Sequence, residues 1–136
     1  MGTIAMDKRQ ITLYYSSENT IGKQIHAYVQ SSKKKNLAVD ISKTKVTGTQ
    51  WVELADGLNK DIKDLIAMDH PDFLNVYGEQ GQDLDENDCI KILQKEPHLL
   101  KHPIAVNDDQ YLELENAASF KKFIAPDSAG LKNPDQ

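Results

Sequence analysis

Hydrophobic and polar positions alternate at the start of the chain, where Ile11 and Leu13 sit on either side of Thr12 and the run ends in Tyr14 and Tyr15. A period of two in β-branched and aromatic side chains predicts a strand over about residues 10–15. Ser16, Ser17, Glu18, Asn19 and Thr20 follow. Short polar side chains of this kind bond nearby backbone groups and favour a turn. The period then lengthens. Ile21, Ile25, Tyr28 and Val29 fall at helical spacing, which predicts a helix from about Thr20 to Ser32, capped by Asn19 or Thr20. Leu37, Val39 and Ile41 alternate again and predict a second strand over residues 37–41. Strand, helix and strand at this spacing imply parallel pairing through a crossover.

The middle of the chain reads as helical. Thr49 is expected to cap a short helix carrying Trp51, Val52, Leu54 and Ala55, stopped at Gly57. Asn59 is expected to cap another with Ile62, Leu65 and Ile66 on one face, ended by His70 and Pro71. Phe73, Leu74 and Val76 then anchor an irregular connection that includes Gly78 and Gly81. Asp85 opens a helix with Glu86 and Asp88 in its first turn, as the helix dipole favours. Its Cys89, Ile90, Ile92 and Leu93 face inward, and Pro97 closes it. The last third returns to strand: Ile104 to Val106 and residues 111–115 flank the hairpin signal of residues 107–110. Asn116 caps a final helix bearing Phe120, Phe123 and Ile124, ended by Pro126.

The order βαβ, helical insertion, ββα is a thioredoxin-like α/β plan. The expected division is a leader at 1–9, a domain at 10–125 with its insertion at about 45–96, and a flexible tail at 126–136.

Composition narrows the function classes. A chain of 136 residues with 39% hydrophobic and 27% charged positions suits an ordinary soluble domain. No apolar run is long enough for a bilayer span, and no signal-peptide pattern is present, which points to a cytoplasmic protein with no membrane partner. The single cysteine, Cys89, excludes an internal disulfide and agrees with a reducing compartment. A net charge of −5 argues against direct nucleic-acid binding by phosphate neutralisation. The basic run Lys33, Lys34 and Lys35 is most simply placed at the negative end of the first helix.

A strand that runs into a helix N-terminus aims free backbone N–H groups at the intervening turn. Ser16, Ser17, Asn19, Thr20 and Lys23 therefore form a candidate binding constellation for a small anion or a partner's backbone carbonyl, with plain helix capping as the simpler reading. The four histidines show no metal-ligand spacing on one helix, and His98 and His102 have no carboxylate near them in a suggestive pattern, so no metal is expected. Cys89 lies on an apolar helix face, where a thiol is inert. Tyr14 and Tyr15 read as strand residues with one ring partly exposed, and Trp51 as a core anchor.

Three segments carry a resemblance to a known family: ITLYYSSENTIGKQI at 11–25, the span 49–77 with DIKDLIAMDHPDFLNVYG, and LDENDCIKILQKEPHLLKHPIAVND at 84–108. The chain resembles the glutaredoxin-coupled arsenate reductases (ArsC), a family that also contains the Spx-type transcriptional regulators. The resemblance spans roughly residues 10–125 and implies the thioredoxin-like fold, with a cis bond between His102 and Pro103 facing the loop. It also implies thiol–anion chemistry: a cysteine at the helix N-terminus attacks arsenic, arginines hold the oxyanion, and glutathione resolves the adduct. Aligned on Tyr14 and Lys23, the cysteine position of the family is Asn19. The arginine before the proline is His102, that of the insertion falls at or near Ala67, and that after the hairpin falls within residues 111–113, a stretch surrounded by Asp108, Asp109, Glu113 and Glu115. Nucleophile and clamp are both absent. The resemblance then implies a protein inactive as an arsenate reductase, used as a binding or regulatory module toward an unknown protein partner, without a cofactor. Asn19 and His102 form its degenerate catalytic site, and Ser16, Ser17, Asn19, Thr20, Lys23, His102 and Pro103 its binding surface. The alternative is a glutathione- and glutaredoxin-dependent oxidoreductase of that family, with the thiol supplied by glutathione.

Overall fold

The computed structural model describes residues 10–32, 35–78 and 83–121. Four strands form one sheet: β1 (Ile11–Tyr15), β2 (Asn36–Asp40), β3 (Ile104–Asn107) and β4 (Gln110–Glu113), in the order β2-β1-β3-β4. β1 pairs with β2 in parallel, placing Leu13 opposite Ala38. It pairs antiparallel with β3, placing Leu13 opposite Ala105, and β3 continues antiparallel to β4 through the turn at Asp108 and Asp109. Asp108 takes a φ of 59°, a conformation that aspartate tolerates better than most residues. The helices are α1 (Thr20–Ser31), α2 (Gly48–Gly57), α3 (Pro71–Tyr77) and α4 (Glu86–Lys95), with short 3-10 turns at Ile62–Leu65, Pro97–Leu99 and Ala117–Phe120. The architecture is a thioredoxin-like βαβ and ββ core with extra helices between β2 and β3. Among the described residues, no helix is long and apolar enough to cross a membrane.

β1 is central because both of its faces are covered. Ile11, Leu13 and Tyr15 point to one side and pack with Ile25, Val29 and Phe120. Tyr14 points to the other side, into a cluster with Trp51, Leu54, Phe73, Ile92 and Leu93 from the inserted helices. Every residue of the strand is therefore buried, as its near-continuous apolar run requires. Leu13, Trp51, Phe73, Leu93 and Phe120 are each at most 1% exposed. A fully buried large aliphatic or aromatic side chain contributes about 1.5–3 kcal/mol from apolar transfer. The insertion thus supplies one complete half of the core.

Several sequence expectations are corrected. Tyr14 and Tyr15 are both buried, at 5% and 7% exposure, so neither ring reaches into solvent as expected. Thr47 caps α2, not Thr49, because Gln50 three residues on completes a capping box with it. Asp61 opens the next turn, and Asn59 instead takes a positive φ of 58° between the two elements. His70 and Pro71 start a helix where the sequence suggested an ending. Pro71 occupies the first turn of α3, where its missing N–H costs nothing, and His70 is the cap. Phe73 is the buried anchor of that helix, whereas Leu74 and Val76 are exposed. Leu37 is exposed as well, on the edge strand. No cis peptide bond occurs among the described residues, so the link from His102 to Pro103 is trans and the cis expectation fails. Asn116 caps the 3-10 turn Ala117–Phe120, and Phe123 and Ile124 of the expected final helix, like Lys33 and Lys34, lie outside the described residues.

Candidate functional site

The turn between β1 and α1 is fastened to the end of β2. The hydroxyls of Ser16 and Ser42 are 2.6 Å apart, and the Glu18 N–H donates to Ser16 Oγ at 3.1 Å. The N–H groups of Ser17 and Ser42 both donate to Asp40 Oδ1, each at 3.1 Å. Partial burial pushes the Asp40 carboxyl up, but bonds from the Ser17 side chain and backbone and from Ser42, with Lys43 nearby, outweigh it and hold the group below the usual carboxylate range. Ser16 is itself buried. Thr20 and Lys23 are exposed.

Asn19 is the cap of α1. Its side-chain oxygen accepts from the Gly22 N–H at 2.6 Å. Its amide nitrogen donates to two main-chain carbonyls, His98 at 3.1 Å and Leu100 at 3.3 Å. One side chain thus ties the helix N-terminus to the segment before β3. The close approach depends on Gly22, since a Cβ there would collide with the Ser16 carbonyl and the Asn19 side-chain oxygen. Asparagine suits the position because it carries acceptor and donors at one tip. A thiol offers neither in comparable strength.

His102 does not join this set through its side chain. Its Nδ1 lies 3.1 Å from Glu113 Oε2, and Lys60 pairs with the other oxygen of the same carboxylate. Glu113 is 9% exposed at its side chain. Burial pushes its carboxyl up, and the bonds from Lys60 and His102 more than reverse that, so it stays ionised at neutral pH. His102 and Lys60 are therefore both engaged by one ionised carboxylate. Pro103 is buried beside it, with its carbonyl accepting from the Leu114 N–H at 2.8 Å. Ala67 contributes only backbone, an N–H donated to Leu99 O at 2.8 Å. A hollow of about 670 Å³ next to His102 carries Lys63 and Lys101 balanced by Asp64 and Asp69.

Two side-chain groupings escape the sequence reading. Lys43, Lys45, Lys91 and Lys95 line a hollow of about 580 Å³ beside Glu18 and Ser42. His70, Asp72 and His98 converge, with His98 Nε2 at 2.8 Å from Asp72 Oδ2. Both His98 and His102 thus have carboxylate partners, against expectation. The partners lie 26 and 11 residues away, separations that no local spacing rule detects. Cys89 is buried at 0% exposure, and burial, with Asp88 alongside, pushes its thiol up. Burial likewise raises the Tyr14 phenol, assisted by Tyr111 and Glu53.

No protein-family model matches the chain, and no curated protein matches it significantly. Solved structures do. A candidate arsenate reductase from Yersinia pestis superposes with a TM-score of 0.70 at 16% identity, covering 82% of this chain and 98% of that one. A candidate ArsC-family-related protein from Bacteroides fragilis gives 0.68 at 10% identity, covering 86% and 99%. An arsenate reductase from Vibrio cholerae gives 0.64 at 12% identity, covering 88% and 98%. At such identities the likeness is one of fold, and the chain has the fold of these arsenate-reductase structures over most of its length.

Proposed function

We propose that this chain does not reduce arsenate and serves as a binding or regulatory module built on the arsenate-reductase fold. The observation that carries this reading is Asn19. At the position where the resemblance implies a thiolate stands an amide whose oxygen is taken by the Gly22 N–H and whose nitrogen is taken by two carbonyls. The helix N-terminus that would stabilise an anion is already capped from within. Glu113 supports the same reading, because its ionised carboxylate already engages Lys60 and His102, the groups that could otherwise meet an oxyanion where the resemblance implies arginines. Cys89 is too deeply buried to serve as a substitute nucleophile. Of the residues the resemblance assigns to binding, Thr20 and Lys23 are exposed and open to a partner, whereas Ser16 and Pro103 are buried and Asn19 and His102 are engaged internally.

The partner is a protein, and the lysine-lined hollow beside the loop is complementary to an acidic segment of it. Cytoplasmic residence belongs to this reading, supported by a single free cysteine that is kept buried. The experiment is turnover of arsenate by the native protein with glutathione and glutaredoxin. The reading predicts none above the protein-free background. Turnover that saturates with arsenate supports a reductase with the thiol drawn from glutathione and overturns the module.

A further inference from the structure

His70 and Asp72 stand at the start of α3, and His98 in the turn Pro97–Leu99, away from the carboxylate pair at His102. One ring nitrogen from each histidine and one carboxylate oxygen of Asp72 lie within 4.8 Å of one another. The two rings meet edge to face, with centroids 5.5 Å apart at 77°. Both backbone segments are held independently of these side chains. Phe73 is buried at 1% exposure and pins α3. The other segment is pinned by Leu99, by the Ala67 N–H on Leu99 O, and by Asn19 on His98 O. The three groups are therefore brought together by the fold and not by their own contact alone.

We propose that His70, Asp72 and His98 form a binding site for a divalent transition-metal ion of the zinc type. Two imidazoles and one carboxylate are a borderline donor set, suited to Zn²⁺, Co²⁺ or Ni²⁺ and poorly suited to Ca²⁺ or Mg²⁺, which favour oxygen. Ligands in a tetrahedral site with bonds of about 2.0–2.1 Å stand roughly 3.3–3.4 Å apart. The His98–Asp72 pair, now at 2.8 Å, needs to open only slightly, and His70 needs to close by rotating its ring. The ion binds His98 Nε2 with the ring in its Nδ1–H tautomer, in place of the hydrogen bond to Asp72. The Nδ1 that carries the ring proton then lies 3.8 Å from Glu96 Oε1, beyond direct hydrogen-bond reach.

Uptake has an identifiable cost. The Asp72 N–H now donates to His70 Nδ1 at 3.0 Å as the cap of α3. A metal on Nδ1 takes that lone pair, and a metal on Nε2 places a proton there, so the capping bond is lost either way. Asp72 is exposed, leaving the fourth coordination position to water. The inference is independent of whether the chain reduces any substrate.

The test titrates the full chain, freed of metal by a chelator, with Zn²⁺ by calorimetry and with Co²⁺ by visible absorption near neutral pH. The expected result is one ion per chain with a Kd below about 100 μM and the spectrum of a tetrahedral site without thiolate bands. His70→Gln, Asp72→Asn and His98→Gln each weaken binding at least about tenfold, while His26→Gln leaves it unchanged. His70 and Asp72 lie near the surface, so their variants report even where His98→Gln disturbs folding. Absence of stoichiometric binding, binding that survives any of the three ligand substitutions in a folded variant, or binding lost with His26→Gln overturns the proposal.

Discussion

The side-chain amide of Asn19 donates to the main-chain carbonyl of His98 across a sequence separation of 79 residues. Through that bond and its partner at Leu100, the first helix and the segment leading into β3 are joined at the place where the fold offers a helix N-terminus. The capping oxygen on Gly22 completes the arrangement.

Asn19→Ala is therefore expected to lose a helix cap and leave two part-buried carbonyls short of a donor. The combined cost is about 2–3 kcal/mol. Asn19→Asp keeps the cap acceptor but turns a carboxylate toward the same two carbonyls, and is expected to cost more than the alanine variant. Urea unfolding of the three proteins measures both. An aspartate variant as stable as the native protein contradicts the bonding described.

Gly22→Ala is expected to destabilise by about 1–3 kcal/mol or more, since the added methyl meets the Ser16 main-chain carbonyl first, which cannot swing aside, and the capping oxygen of Asn19 next. Alanine is intrinsically the better helix residue by about 1 kcal/mol, so helix propensity alone predicts the opposite sign. The sign of the change in thermal midpoint decides between them.

Asp40 and Glu113 both hold carboxyls below their ordinary range in the folded state. A group whose pKa falls on folding adds stability above its unfolded pKa, and that stability is lost as pH drops through the folded value. Acidification below the ordinary carboxylate range, about pH 4, is thus expected to weaken the fold. Glu113→Gln removes part of that acid dependence and costs about 1–2 kcal/mol at neutral pH, from the lost bonds to His102 and Lys60. Thermal midpoints across the acid range for native and Glu113→Gln proteins test this. Parallel curves contradict it.

Cys89 is expected to react with a thiol reagent at least about a hundredfold more slowly in the folded protein than in urea, because the thiol is both buried and raised in pKa. A colorimetric thiol assay reads the rates. Rapid modification under native conditions contradicts an inert core cysteine.

Much of the scaffold was legible because its signals are local. The alternation at Ile11, Leu13 and Tyr15, the helical spacing of Ile25 and Val29, and the Asp85 cap each encode one element in a few residues. The start of α3 was not, because a proline is compatible both with the end of one helix and with the first turn of the next, and the residue before it is extended in either case, as His70 is. The position of Asn19 could be read from the strand–turn–helix pattern, yet its donors' targets, His98 and Leu100, could not. The same holds for Glu113 against His102 and Asp72 against His98. Those contacts are set by tertiary packing, on which sequence periodicity is silent.

The central claim is that the anion site is dismantled as a whole and not merely missing a thiol. Arsenate turnover by Asn19→Cys with glutathione and glutaredoxin tests it most directly. The account predicts a rate indistinguishable from the protein-free background, because no arginine replaces Glu113 and His102. Substantial turnover from that single substitution would contradict it.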